Sequence, residues 1–191
     1  MARTPEEKLA AVVDAYLSDI IPGIQRVYQR TNRVRESFIL AHCAILSLSG
    51  FYVGTKDTGG PSYRKFVEDF FPSAYNPIGL WRDLRNSLIH AYTLTSTYVL
   101  AHKHSEKHLS QERNVKSERT GKRSNLTYLN FEDFFDDLRS AAQSYFAAVR
   151  TDPDLISRLC ARYDVAAPAT YISDKQIAKR ASAQTQHEPR G

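Results

Sequence analysis

The sequence is poor in cysteine, which excludes small proteins stabilised by several disulfides or by a cysteine-rich metal knuckle. Its 191 residues include two cysteines, Cys43 and Cys160. Two cysteines so far apart supply neither a disulfide framework nor a metal knuckle. Residues 1–7 contain no apolar segment of the kind found in a signal peptide. We therefore expect a protein of the reducing cytoplasm.

A long hydrophobic run is also lacking. The most apolar stretch, residues 38–53, is shorter than the roughly 18–20 residues that a membrane span needs. It also contains His42, Ser47 and Ser49. We predict a buried helix here, over roughly residues 32–52, and no membrane partner.

What is present suits one globular domain. Apolar residues make up 42% of the chain and charged residues 25%, and the length is sufficient to bury a core. The formal charge of +5 permits a polyanionic partner without requiring one. We predict a single helical domain over residues 1–172 and a flexible polar tail over residues 173–191.

Helix signals recur along most of that domain. Caps, first-turn prolines and helical apolar spacing predict helices that begin near Pro5, Asn32, Pro61, Pro77, Phe131 and Pro153. The first of them is predicted to end or bend at Pro22-Gly23. Residues 93–100 are β-branched and aromatic, and residues 125–129 are a suitable partner strand. The predicted fold is a mainly α, up-and-down helical bundle with a small β-hairpin insertion over about residues 93–129.

The helix over residues 80–92 carries the best candidates for chemistry. On a wheel of about 100° per residue, an apolar arc predicted to face the core contains Leu80, Trp81, Leu84, Leu88, Ala91 and Tyr92. The opposite side collects Arg82, Asn86 and His90, with Arg85 at the edge of the arc. Asn86 and His90 share a stripe, whereas Arg85 and His90 diverge by about 140°. Both side chains could still contact a phosphate held beside the helix, or two copies of the helix could combine their residues across a dimer interface.

These residue types suit phosphoryl chemistry on RNA. A histidine titrates near neutral pH and can act as general acid or base. An arginine offers a planar fork to phosphate oxygens and to the charge of the transition state. An asparagine can orient either group without changing the charge. The set requires no metal, and we predict no metal site and no cofactor.

The Arg-x4-His spacing is weak evidence by itself. Arg35–His42 and Arg180–His187 match a similar spacing, but His42 lies in an apolar run and His187 in the polar tail. The pair Arg85 and His90 differs because it lies on a capped amphipathic helix, off the core face. The alternative is that Arg85 makes a surface salt bridge while His90 caps or packs near the helix end.

The segment Leu84-Arg85-Asn86-Ser87-Leu88-Ile89-His90 resembles the signature of the HEPN superfamily, small helical domains of prokaryotic toxin–antitoxin and defence systems. The resemblance implies a metal-independent endoribonuclease at a homodimer interface, in which a 2′-hydroxyl attacks the adjacent phosphate of single-stranded RNA. It further implies that His90 handles the proton, Arg85 binds and stabilises the phosphate, and Asn86 positions them.

The same resemblance implies a toxin or defence role, with a protein antitoxin or a larger defence component as a partner. The alternative within the family is a module that binds a nucleotide or a partner, or dimerises, without cleaving RNA. The small strand pair is an addition that the bare family pattern does not require.

Most of the net positive charge lies in residues 102–124, which carry seven basic and three acidic side chains. We assign RNA-backbone binding to Arg82, Lys103, Lys107, Arg113, Lys116, Lys122 and Arg123. A solvated charge run is the alternative. Tyr63, Arg64 and Lys65 are further candidates for nucleic-acid contact.

Three histidines of this stretch, His102, His104 and His108, invite a zinc hypothesis. They lack a cysteine or acidic partner at a matching spacing, so we predict a solvated loop instead. The acidic residues after Phe131 could also hold a metal. We interpret them as the favourable first turn of a helix.

Overall fold

A computed structural model of the chain describes residues 3–55, 58–92, 97–116, 121 and 123–166. The α-helices are α1 (Pro5–Asp14), α2 (Ile21–Thr31), α3 (Val34–Val53), α4 (Gly60–Phe70), α5 (Pro77–Gly79), α6 (Asn86–Ala91), α7 (Phe131–Thr151) and α8 (Pro153–Val165). Two π-helical segments, Ala15–Ile20 and Leu80–Arg85, join α1 to α2 and α5 to α6. The strands are β1 (Tyr98–Ala101), β2 (Gln111–Lys116) and β3 (Arg123–Asn130). The predicted class, mainly α with a small β insertion, is confirmed.

Local capping chemistry sets several helix starts as predicted. The Thr4 hydroxyl accepts from the backbone N–H of Glu7, whose carboxylate accepts from the Thr4 N–H. Asn76 caps α5 by accepting from Gly79 N–H. Asp152 caps α8 by accepting two backbone N–H groups. Such caps satisfy N–H groups that the first turn of a helix leaves unpaired.

The first helix does not end at Pro22-Gly23, so of the two predicted outcomes only a bend stays a prediction. The residues that join α1, the π segment and α2 all have right-handed helical backbone angles. Pro22 has no N–H to donate, and the turn just before it is π-helical, with Ile21 N–H bonded to the Tyr16 carbonyl. The wider turn lets the helix continue past the proline.

Helix α3 lies at the centre of the domain, as predicted. Eleven of its residues are buried, and it packs against α2, α4, α7 and α8. Among the described residues it is the one helix long and apolar enough to cross a membrane by length and composition, and 56% of its most apolar window is buried in the fold. Contacts within the fold therefore cover a little more than half of that window.

The three strands pair in the order β1-β3-β2. Pairing of β1 with β3 was predicted, and Tyr98 lies opposite Thr127. The two strands are parallel, however, so they do not form the predicted hairpin. The hairpin consists of β2 and β3, which are antiparallel. Strand β2 lies inside the predicted loop and escaped detection because its sequence, QERNVK, is polar and almost wholly exposed.

Some predictions fall outside the described residues. They include the flexible tail over 173–191, the predicted domain end at residue 172 and the first part of the β1 prediction, residues 93–96.

Candidate functional site

The motif helix runs from Pro77 to Ala91 and includes the second π segment. Leu80, Leu84 and Leu88 are buried and hold one face of this helix against the core, as the wheel predicted. In the π segment, Asn86 N–H donates to the Trp81 carbonyl instead of to a residue four positions back. Such π turns are rare and occur often at functional sites. The candidate residues Arg85 and Asn86 lie at the junction of the π segment and α6.

The prediction that Ala91 and Tyr92 face the core was wrong, because both residues are exposed. The helix stops at Ala91, and Tyr92 adopts a left-handed backbone with φ of 50°. This conformation turns the chain away from the helical path. The Tyr92 ring packs against Arg35, whose guanidinium carbon lies 5.0 Å from the centre of the ring.

Arg85 is half-buried and held by two neighbours. Its Nη1 donates to Asn86 Oδ1 at 2.9 Å, and its guanidinium carbon lies 4.6 Å from the centre of the Trp81 ring. None of the ion pairs within 4 Å among the described residues involves Arg85. The surface salt bridge considered above is formed instead by Arg82, whose Nε is 2.7 Å from Asp83.

His90 is exposed in the last turn of α6. Within the described part of the chain, no hydrogen bond or ion pair joins it to Arg85 or Asn86. The structure thus brings together two of the three predicted catalytic residues. A single copy of the chain leaves the third one apart, in keeping with the divergence seen on the wheel.

The sequence did not point to the side chains that lie behind Arg85. His42 on α3 is completely buried, and its Nδ1 is 2.6 Å from Tyr63 Oη on α4. The Tyr63 ring lies 5.3 Å from the Trp81 ring, centre to centre. Burial, followed by the positive charge of Arg85, lowers the pKa of His42 to about 3, so the ring is neutral at ordinary pH.

One signal could have found this cluster. A histidine in an apolar run needs a hydrogen-bond partner when the run is buried, but the identity of that partner depends on how α3 and α4 pack. The suggestion that Tyr63 contacts nucleic acid was wrong, because the side chain is fully buried. Lys65 from the same group is exposed and pairs with Asp69 at 3.0 Å.

Residues 102–107 of the histidine loop (residues 102–108) are exposed as predicted, whereas His108 is half-buried, and side-chain contacts attach the loop to the rest of the fold. His102 Nδ1 lies 2.9 Å from Asn32 Oδ1, and His104 Nδ1 lies 2.6 Å from Asp133 Oδ1. The hydrogen bond to Asp133 is the main cause that raises the pKa of His104. Among the described residues, no group of three or more histidine, cysteine, aspartate or glutamate side chains has an arrangement that could hold a metal ion.

His108 secures the other end of that loop. Its Nδ1 accepts from the backbone N–H of Asn130, so its Nε2 carries the proton and donates to Tyr75 Oη at 2.8 Å. Tyr75 in turn donates to Asp137 at 2.7 Å. The acidic start of α7 therefore anchors the loop, a role that the interpretation based on the helix dipole alone did not include.

The residues assigned to RNA binding fall into three groups. Lys103 and Lys107 are exposed on the histidine loop. Exposed basic residues of the β2–β3 hairpin form the second group, namely Arg113, Lys116 and Arg123, and Lys116 lies opposite Arg123 in the pairing. Arg82 lies apart from both, on the motif helix, and Lys122 is outside the described residues.

No protein-family model, curated protein or solved structure matches this chain. The HEPN resemblance consequently depends on the motif and on the mainly α fold.

Proposed function

We propose that the chain is a metal-independent endoribonuclease of the HEPN type that cleaves single-stranded RNA. The observation that carries the proposal is the state of Arg85. Its guanidinium rests on Trp81, is oriented by Asn86 and forms no ion pair with a carboxylate among the described residues. A guanidinium free of carboxylates remains available to the oxygens of a phosphate.

In the proposed reaction the 2′-hydroxyl of a nucleotide attacks the adjacent phosphorus. The new bond from O2′ to phosphorus forms as the bond from phosphorus to O5′ breaks, leaving a cyclic phosphate and a free 5′-hydroxyl. His90 accepts the proton of the 2′-hydroxyl and then delivers it to O5′, so that the leaving group departs as a neutral 5′-hydroxyl. Arg85 stabilises the charge on the non-bridging oxygens, and Asn86 keeps Arg85 in place.

The first test is cleavage of diverse single-stranded RNAs by the purified protein in EDTA. We expect products with cyclic phosphate ends. Arg85→Ala should lower the rate by about 10²- to 10³-fold and His90→Ala by about 10²- to 10⁴-fold. Arg150→Ala, at an exposed arginine of α7, is the matched control and should cleave at the wild-type rate. Equal activity of all three variants would contradict the assignment.

Because Arg85 and His90 do not meet in one copy, we propose that the active form is a homodimer. Mixing Arg85→Ala with His90→Ala protein tests this arrangement. If one copy supplies the arginine and the other the histidine, each mixed dimer contains one intact site and regains part of the activity. A mixture as inactive as its components would contradict a shared site, provided that affinity capture of one tagged variant also retains the untagged other variant.

The basic groups on the histidine loop and on the hairpin are proposed to hold the RNA backbone. Charge reversal of Arg113 and Lys116 should weaken RNA binding at low salt and flatten its salt dependence. A toxin or defence role in the cytoplasm, with an antitoxin or a larger defence component as partner, completes the proposal.

The second candidate is a HEPN-type module that binds a nucleotide or a partner without cleaving RNA. The exposure of His90, without a hydrogen bond to Arg85 or Asn86 among the described residues, favours it. A wild-type protein that is inert on diverse RNAs yet binds a nucleotide or a partner protein would establish this alternative.

A further inference from the structure

The Nε–H group of Arg85 is a hydrogen-bond donor without an acceptor. Its Nε is buried and has no hydrogen-bond partner, whereas its Nη1 is bound to Asn86. A buried N–H that gives up water without finding an acceptor is destabilising, and native proteins rarely keep one. An acceptor for this nitrogen would therefore stabilise the fold.

His42 has a ring nitrogen that also lacks a hydrogen-bond partner. Its Nε2 is buried without a partner, while its Nδ1 is 2.6 Å from Tyr63 Oη. A neutral imidazole has one N–H and one bare nitrogen. If Nδ1–H donates to Tyr63, Nε2 is an unused acceptor. The positive charge of the neighbouring guanidinium favours this tautomer, because it attracts a lone pair and repels an N–H.

The two side chains belong to one contiguous cluster. Arg85 contacts Trp81, Trp81 contacts Tyr63, and Tyr63 is hydrogen-bonded to His42. The charge of Arg85 also contributes to the lowered pKa of His42, in keeping with their membership of one cluster. The structure does not show a hydrogen bond between these two nitrogens; a rotation of the guanidinium, or one buried water, would have to join the donor to the acceptor.

We propose that His42 is a positioning residue, whose neutral Nε2 accepts from Arg85 Nε–H and so fixes the guanidinium toward the RNA phosphate. Tyr63 holds the imidazole in the required tautomer. His42 does not reach the RNA, because its ring is completely buried. The link to the phosphate rests on the proposed ribonuclease function, whereas the hydrogen bond itself does not.

Nuclear magnetic resonance tests the hydrogen bond without any need for activity. The Nε–H signal of Arg85, assigned by its loss in Arg85→Lys, should exchange slowly with water in the wild type. It should stay slow in His42→Gln, whose amide oxygen replaces the acceptor, and become fast in His42→Leu. An unchanged signal in folded His42→Leu would overturn the proposal.

A second variant guards against misfolding. His42→Leu leaves the Tyr63 hydroxyl unpaired, so His42→Leu combined with Tyr63→Phe removes both partners and should preserve the core. The slow Nε–H signal should be lost in this double variant as well. Retention of the signal there would also overturn the proposal.

Cleavage kinetics test the consequence for the site. His42→Leu should lower kcat by about 10- to 100-fold with little change in KM, because a displaced guanidinium loses its alignment on the transition state. His42→Gln should restore most of the rate with the wild-type pH profile. In an Arg85→Ala background, His42→Leu should have no further effect.

The outcomes separate the two proposals. A wild-type enzyme that cleaves RNA and is unaffected by His42→Leu refutes the positioning role alone. A wild-type protein that cleaves no RNA refutes the proposed function, and the Nε–H exchange still decides the hydrogen bond.

Discussion

Replacement of His42 by glutamine should make the protein more tolerant of acid. The buried ring binds a proton only near pH 3, whereas a histidine in the unfolded chain does so near its ordinary pKa of 6.5. As the pH falls below 6.5, the unfolded state therefore gains protons that the folded state cannot bind at this position. The stability that depends on a neutral His42 is complete above pH 6.5 and is lost as the pH falls toward 3.

The magnitude follows from the distance between the working pH and the unfolded pKa. At about pH 5 the unfolded histidine has gained about 1.5 pH units of protonation free energy, or about 2 kcal/mol. Glutamine does not titrate, so the variant avoids this loss. Every other titrating group is present in both proteins and cancels in the comparison.

The assay is urea unfolding of both proteins at about pH 7.5 and about pH 5, analysed by linear extrapolation. Between the two conditions, the wild type should lose about 2 kcal/mol more of its free energy of unfolding than His42→Gln does. An equal loss in both proteins would refute the reasoning. So would an imidazole resonance of His42 that titrates between these two pH values in the folded protein.

Three further substitutions should each change the stability of the protein. His104→Gln should destabilise the protein more at about pH 5 than at about pH 8, since Asp133 raises the pKa of His104 and this stabilisation is lost as the pH rises; urea titrations measure it. Gly60→Ala should cost about 1–3 kcal/mol and alter the emission of the single tryptophan, because the new Cβ would lie 2.6 Å from Trp81 Nε1. Asp152→Ala should lower the thermal midpoint through loss of about 1 kcal/mol of helix capping, as followed by circular dichroism.

The helices were predictable because their signals are local. Thr4, Asn76 and Asp152 cap helices within three residues of their own positions, and the sequence displays such patterns directly. The sheet shows the opposite case. Whether β1 and β3 run parallel or antiparallel depends on the path of the chain between them, and the polar strand β2 forms through backbone pairing with no apolar alternation.

The candidate site divides in the same way. Arg85 and Asn86 could be selected from their own helix, because the leucines of that helix identify its buried face. His42 could not, because its partner Tyr63 is 21 residues away on another helix. Its position in an apolar run argued against a role in the site. That same position buries His42 in the core, where Tyr63 and Trp81 connect it to Arg85.

The placement of Arg85 and His90 limits how one site can use both. Asn86 and Trp81 hold the guanidinium at the edge of the domain, while His90 is exposed a turn further along. On an α-helix their directions differ by about 140°, more than side-chain rotation readily spans. A phosphate bound to Arg85 in one copy would therefore meet His90 most directly from a second copy. Recovery of activity on mixing Arg85→Ala and His90→Ala protein would require this geometry. Each variant lacks one of the two side chains, so a site contains both only if it takes Arg85 from one copy and His90 from the other.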